Sequence, residues 1–212
     1  HPDVPYVHLG ADEAWNFMSC ATCRTRYGDN GEGRLFADHL IAMVEIVRSY
    51  GKLAIIWDDM LRSFTDDDLS RLPDDLIVMC WVYFERDFPM IDPLVARYRT
   101  AGLRVVGAPA VKCNERGPIE FTEIPNYDER MRNIALWTRT AKAHGLEGML
   151  FTAWSGAAGV VAPPHPFFDT IWYPLAYGAA CSWNRVAADD SFESFEKKFR
   201  RSFFGERSPQ QA

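Results

Sequence analysis

Two carboxylates stand side by side at Asp12 and Glu13, in the stretch HLGADEAW that follows the apolar run VPYV. A buried strand rejects unpaired charge, because an ionised carboxylate taken out of water is costly unless it is paired or changes its protonation state. Acids placed where a strand should end therefore have a task, and two are open. Asp12 can cap the following helix while Glu13 supports its first turn. Alternatively, the pair performs acid–base chemistry at the mouth of a pocket. Adjacent strand residues point to opposite faces, so both acids can serve one substrate only where the strand frays into its loop. His8 can orient the pair or can be a hydrogen-bonded core histidine.

The elements that must position these groups follow from hydrophobic periodicity. Apolar runs lie at residues 4–10, 52–60, 76–83, 103–111 and 148–156, and amphipathic stretches at 34–51, 92–102 and 128–145. Gly51, Gly102 and Gly145 are the predicted helix stops. Near-continuous apolar strands alternating with helices predict an α/β fold with a parallel sheet covered by helices. The segment 16–33 is predicted as a polar loop, and VAPPHPF at 161–167 is the one proline-rich stretch. Four of the five strand candidates end in chemically loaded residues: Asp12 and Glu13, then Trp57 with Asp58 and Asp59, then Trp81 and Tyr83, then Trp154. Placement at the same strand end each time predicts one shared pocket, as in β/α barrels, whose active sites are built on the C-terminal strand ends. One of Asp58 and Asp59 is expected to face that pocket and the other to cap the next helix. Trp81 lies inside an apolar run, where core packing is the competing role, while Trp137 and Trp172 fall in helix patterns and are expected to pack.

Composition narrows the partners. The chain has 212 residues, 48% of them hydrophobic, enough for one sizeable core. A net charge of -6 disfavours a nucleic-acid surface. The cluster Lys197-Lys198-Phe199-Arg200-Arg201 reads as the solvated face of an amphipathic helix. No segment has the length of a membrane span, and residues 1–20 lack a secretion-signal pattern. The first residue is His, so the N-terminus gives no localisation. Seven Trp in an acidic chain suit carbohydrate stacking as well as core packing. Cys20 and Cys23 form an isolated C-x-x-C, short of the four ligands of a closed zinc site and open to a disulfide or two free thiols. Cys80, Cys113 and Cys181 read as buried thiols. No cofactor is called for, and the oligomeric state is not encoded.

HLGADEAW resembles the H-[I/L]-G-x-D-E motif of the family-20 glycoside hydrolases, the β-N-acetylhexosaminidases. IIWDDM is similar to the strand that follows it in the hexosaminidase D branch, and LFTAWSG resembles the tryptophan-bearing final strand. The resemblance runs over roughly residues 1–185. It implies a (β/α)8 TIM barrel in which the Asp-Glu pair closes the fourth strand, so that residues 1–212 are the C-terminal part, about strands 4 to 8, of one catalytic domain. Five strands cannot close a barrel at the usual tilt and shear. The isolated chain is therefore expected to be aggregation-prone or partly folded, and the sugar-gripping arginine that the resemblance places on the first strand lies outside it.

The activity implied is exo-hydrolysis of terminal β-linked N-acetylhexosamine, GlcNAc or GalNAc, from glycans. It proceeds with retention through attack by the substrate's own 2-acetamido oxygen. Glu13 is then the general acid and later the base, and Asp12 stays ionised, holding the acetamide N–H and stabilising the oxazolinium. His8, Trp57, Asp58, Trp81, Tyr83 and Trp154 are the implied substrate-binding residues. Two departures stand out: RVVGAPAVKCNE lacks the family's acetamide-holding tyrosine, with Tyr83 the nearest substitute, and Gly156 replaces a carboxylate two residues beyond the last tryptophan. The competing readings are a non-catalytic carbohydrate-binding barrel, an incomplete inactive fragment, and a metal-dependent hydrolase using Asp12, Glu13, Asp58 and His8 as ligands.

Overall fold

The computed structural model describes residues 3–113, 125–154, 168–183 and 192–205. These fall into two compact units, each with its own parallel sheet. The first comprises His1–Trp81, Pro89–Gly107 and His144–Gly148, and the second Val82–Phe88, Ala108–Ala143 and Met149–Ala212.

In the first unit, strands β1 (Tyr6–His8), β2 (Leu53–Trp57), β3 (Ile77–Cys80) and β4 (Arg104–Gly107) pair in parallel in that order. The short β6 (Gly148–Met149) lies beyond β4 in the same sheet. All four residues of β3 are buried, which is what a central parallel strand covered on both faces requires. Helix α2 (Glu32–Ser49) repeats Phe36, Leu40, Val44 and Val47 on one face, all buried, and α4 (Ile91–Thr100) does the same with Ile91, Leu94, Val95 and Tyr98. Each fully buried aliphatic side chain contributes about 1.5–3 kcal/mol. Gly51 takes φ +67° after α2, a left-handed conformation that ends the helix at little steric cost. The short α3 (Asp66–Ser70) opens on a reciprocal cap in which Thr65 Oγ1 accepts the Asp68 N–H and the Asp68 carboxylate accepts the Thr65 N–H.

In the second unit, β5 (Ala110–Cys113) pairs in parallel with β7 (Thr152–Trp154), with an irregularity between Ala110 and Lys112. Val111 packs with Met131, Ile134 and Ala135 of α5 (Tyr127–His144) and with Tyr177 and Cys181 of α6 (Trp172–Trp183). Helix α7 (Phe192–Phe204) carries the basic cluster, with Lys197 bonded to Glu193 at 2.8 Å on its solvated face. Trp137 is wholly buried, and its indole N–H donates to the Val82 carbonyl.

Three expectations need correction. The apolar run 103–111 is two strands, β4 and the start of β5, because it is interrupted at Ala108-Pro109: proline has no N–H for a ladder and restricts the residue before it. The run 148–156 likewise holds both β6 and β7. The segment 16–33 is not all loop, since it contains α1 (Ala21–Tyr27). The proline-rich stretch 161–167 and Gly156 lie outside the described residues.

Candidate active site

The turn that carries the carboxylates begins where β1 ends. Leu9 N–H donates to the Ile55 carbonyl at 2.8 Å and Trp57 N–H to the Gly10 carbonyl at 2.9 Å, so the chain stays tied to β2 for two residues beyond the strand. It then breaks sharply: Gly10, Ala11 and Glu13 have φ of +73°, +70° and +50°. Glycine adopts this conformation freely, but a residue with a Cβ loses roughly 1–2 kcal/mol there. Such strain persists only where its surroundings over-determine it. Asp12 caps no helix, because the next one starts at Ala21 and is capped by Cys20. Its carboxylate oxygen lies 3.6 Å from where a Cβ on Gly10 would stand, and both Asp12 and Glu13 are exposed.

His8 Nδ1 accepts the Gly10 N–H at 3.0 Å, which leaves the proton of the neutral ring on Nε2. The ring packs against Trp57 with centroids 4.8 Å apart. Desolvation holds the His8 imidazole below its ordinary pKa, against the opposing pull of the Asp12 carboxylate.

The two acids after Trp57 have separate fates. Asp58 is wholly buried and accepts from Arg62 Nε and Nη2, both at 3.0 Å, and from the Trp81 N–H at 3.0 Å, with the Tyr98 hydroxyl close by. Burial pushes its carboxyl pKa up, while the Arg62 guanidinium opposes that shift. Asp58 is thus not available to a sugar, which corrects its expected place among the substrate-binding residues. Nor is it the expected helix cap: it stands at the N-cap of the 3-10 turn Asp59–Ser63 but makes no side-chain capping bond. Asp59 is the carboxylate that reaches the turn, with Oδ2 accepting the Glu13 N–H at 2.8 Å and Oδ1 the Trp81 indole N–H at 3.3 Å. Arg62 also stacks over the Trp81 ring at 4.7 Å. Sequence reasoning missed Arg62 and Tyr98; the i,i+4 spacing of Asp58 and Arg62 was the available signal.

The first unit therefore brings together His8, Glu13, Trp57, Asp59 and Trp81, with Asp12 in the same turn. In the second unit, Trp154 donates its indole N–H to the Tyr83 hydroxyl at 2.9 Å; Tyr83 is buried and Trp154 is 40% exposed. Beside the carboxylate turn, a cleft of about 490 Å³ is lined mainly by apolar residues, among them Ala11, Ala14, Phe17 and Met18, together with Cys20 and Cys23. Cys20 Sγ accepts the Cys23 N–H at 3.2 Å, and both cysteines are free thiols. Their mutual hydrogen bond lowers the Cys20 pKa and raises that of Cys23. Cys80, Cys113 and Cys181 are buried thiols. Among the described residues, no three His, Cys, Asp or Glu side chains are grouped to hold a metal ion. No helix there is long and apolar enough to cross a membrane.

Residues 1–113 match the family model of the glycosyl hydrolase family 20 catalytic domain. The chain belongs to glycosyl hydrolase family 20. It is also similar to hexosaminidase D of Homo sapiens and of Bos taurus, at 26% identity over 164 residues in each case. The alignment covers 73% of this chain, but 33% of the human protein and 47% of the bovine one. Among solved structures, the crystal structure of a β-N-acetylhexosaminidase from Bacteroides fragilis NCTC 9343 superposes with a TM-score of 0.60 at 18% identity, covering 95% of this chain and 41% of that one. This family-20 chain thus has the parallel α/β fold of part of a TIM barrel, and it spans less than half the length of these relatives.

Proposed function

We propose that this chain carries the catalytic carboxylates of a retaining, exo-acting β-N-acetylhexosaminidase, which removes terminal β-linked GlcNAc or GalNAc from glycans with help from the substrate's 2-acetamido group. The observation that carries the reading is the left-handed turn at HLGADE. It lifts Asp12 and Glu13 out of the strand within the region that matches the family model.

In this mechanism Glu13 protonates the departing glycosidic oxygen and then deprotonates the incoming water. Asp12 remains ionised, accepts the acetamide N–H and stabilises the positive charge that develops as the acetamide oxygen closes on the anomeric carbon. Trp57 and Trp81 offer the apolar wall that shields the reacting acetamide from water. Tyr83 and Trp154, bonded to each other in their own unit, are proposed as further sugar contacts. His8 orients the turn by accepting from Gly10, and Asp58 holds Arg62 and the Trp81 backbone. Residues 1–212 are read as the C-terminal part of one catalytic domain.

The test is made in the full-length protein that contains this chain. Glu13→Gln should lower turnover by at least about 100-fold on a poor leaving group, the lower end of what general acid catalysis contributes. The loss should be much smaller on an aryl glycoside, whose leaving group needs little protonation. A thiazoline mimic of the bicyclic intermediate should inhibit strongly. Tight sugar binding with no turnover in the parent protein would instead establish a non-catalytic carbohydrate-binding barrel.

A further inference from the structure

We infer that Asp59 is a positioning residue: its one carboxylate ties the backbone of Glu13 to the indole of Trp81 and so aims the acid at the sugar. The inference rests on the proposed catalytic role of Glu13. The two oxygens of Asp59 divide their work, Oδ2 accepting the Glu13 N–H at 2.8 Å and Oδ1 the Trp81 Nε1–H at 3.3 Å. Glu13 needs such a tie because its φ of +50° is one that a residue with a Cβ readily leaves, and Ala11, two residues back, has the same tendency. A carboxylate accepting from a backbone N–H is among the stronger hydrogen bonds available for holding it.

The anchor itself is fixed. Asp59 opens the 3-10 turn Asp59–Ser63, whose Leu61 N–H donates to the Asp58 carbonyl at 2.8 Å and whose Leu61 side chain is wholly buried. Directly before it, Asp58 is locked to Arg62 and to the Trp81 N–H. Trp81 is therefore gripped at its backbone by Asp58, on its ring face by Arg62 and at its indole N–H by Asp59. Through Asp59 the same frame reaches 46 residues back along the chain to Glu13. Asp59 thus acts through its neighbours and needs no contact with substrate.

The experiment compares Asp59→Ala, Asp59→Asn and Glu13→Gln in the full-length protein, each assayed on an aryl N-acetylglucosaminide and on an alkyl one whose leaving group needs protonation. Misplacing a catalytic group by about 1 Å costs on the order of 100-fold. Asp59→Ala should therefore lower kcat on the alkyl substrate by about that factor and on the aryl substrate by clearly less, because an aryl leaving group needs little protonation and only the later work of Glu13 as base still depends on its aim. Asp59→Asn keeps one acceptor for the Glu13 N–H while turning an amide donor toward the Trp81 indole. It should recover at least about 10-fold of the alkyl loss.

Equal losses of kcat on the two substrates, or an Asn variant no better than Ala, would overturn the positioning role. If Asp59→Ala does not fold, Asp59→Asn carries the test alone, and it too must lose more on the alkyl than on the aryl glycoside. A fully active Glu13→Gln would remove the reading on which the inference rests. A crippled Glu13→Gln beside an Asp59→Ala with wild-type leaving-group dependence would sink the inference and leave that reading standing.

Discussion

Asp58 makes the sharpest stability prediction. Its side chain is wholly buried, its two oxygens accept both Arg62 bonds and the Trp81 N–H at 3.0 Å each, and the Arg62 side chain is 25% exposed. Asp58→Asn preserves the shape and one acceptor, but it removes the charge and sets an amide donor against a guanidinium donor. Breaking a buried pair by altering one partner costs about 3–5 kcal/mol. Arg62 keeps its bond to the Trp81 carbonyl and its stacking on the Trp81 ring, which places the loss near the lower end, about 3 kcal/mol. Urea unfolding of the full-length protein, wild type against variant at pH 7, measures it directly as a lowered midpoint with an unchanged slope. Replacing both residues with leucine should cost less than the two single leucine changes together, with a coupling on the order of 2 kcal/mol. A loss under about 1 kcal/mol for Asp58→Asn would mean that the pair is solvated, since exposed ion pairs have that value, and would refute the buried-pair reasoning.

Gly10→Ala places a Cβ at φ +73° in the carboxylate turn and should cost about 1–2 kcal/mol of stability, measured by thermal unfolding, with a simultaneous fall in kcat. A neutral effect would show that the turn relaxes freely. In NMR titration, His8 should have its midpoint below that of a free histidine, and Asp12→Asn should move it lower still, because the Asp12 carboxylate favours the charged ring. The contribution of His8 to stability is then fully present above the unfolded pKa of about 6.5 and is lost as pH falls toward the lower folded value; an upward shift in Asp12→Asn would contradict this. Gly178→Ala puts a Cβ 2.6 Å from the Phe151 ring and should destabilise by about 1–2 kcal/mol despite the better helix propensity of alanine. A stabilised variant would show that the ring yields.

The parallel α/β pattern was legible because its cause is burial, and burial is written in apolar residues. VMC of β3 and the Phe36-Leu40-Val44-Val47 face of α2 lie where periodicity put them. What stayed hidden depends on hydrogen-bond partners distant in the chain. Nothing in the apolar content of LRVVGAPAV reveals that β4 joins one sheet and β5 another; only Pro109, which cannot donate, hinted at the break. The WDD sequence marked a loaded strand end, but whether Asp58 or Asp59 turns inward depends on Arg62 and Trp81 meeting there. Sequence reasoning also missed the short α3 with its Thr65–Asp68 capping box, and α1, which lies in a stretch of polar composition.

The same logic explains how neighbouring acids can share one task. In a regular strand the period of two would send Asp12 and Glu13 to opposite faces, one of them into apolar packing. The chain avoids this by ending β1 at His8, four residues before Asp12, and by taking positive φ on both sides of Asp12. Strand alternation no longer governs either side chain, and both carboxylates stay exposed. That geometry is held from outside: His8 fixes the Gly10 N–H, Trp57 fixes the Gly10 carbonyl, and Asp59 fixes the Glu13 N–H. Each holding group lies on β1, at the end of β2 or two residues after it, so the parallel register of those two strands, with His8 opposite Ile55, supports the turn that carries both acids.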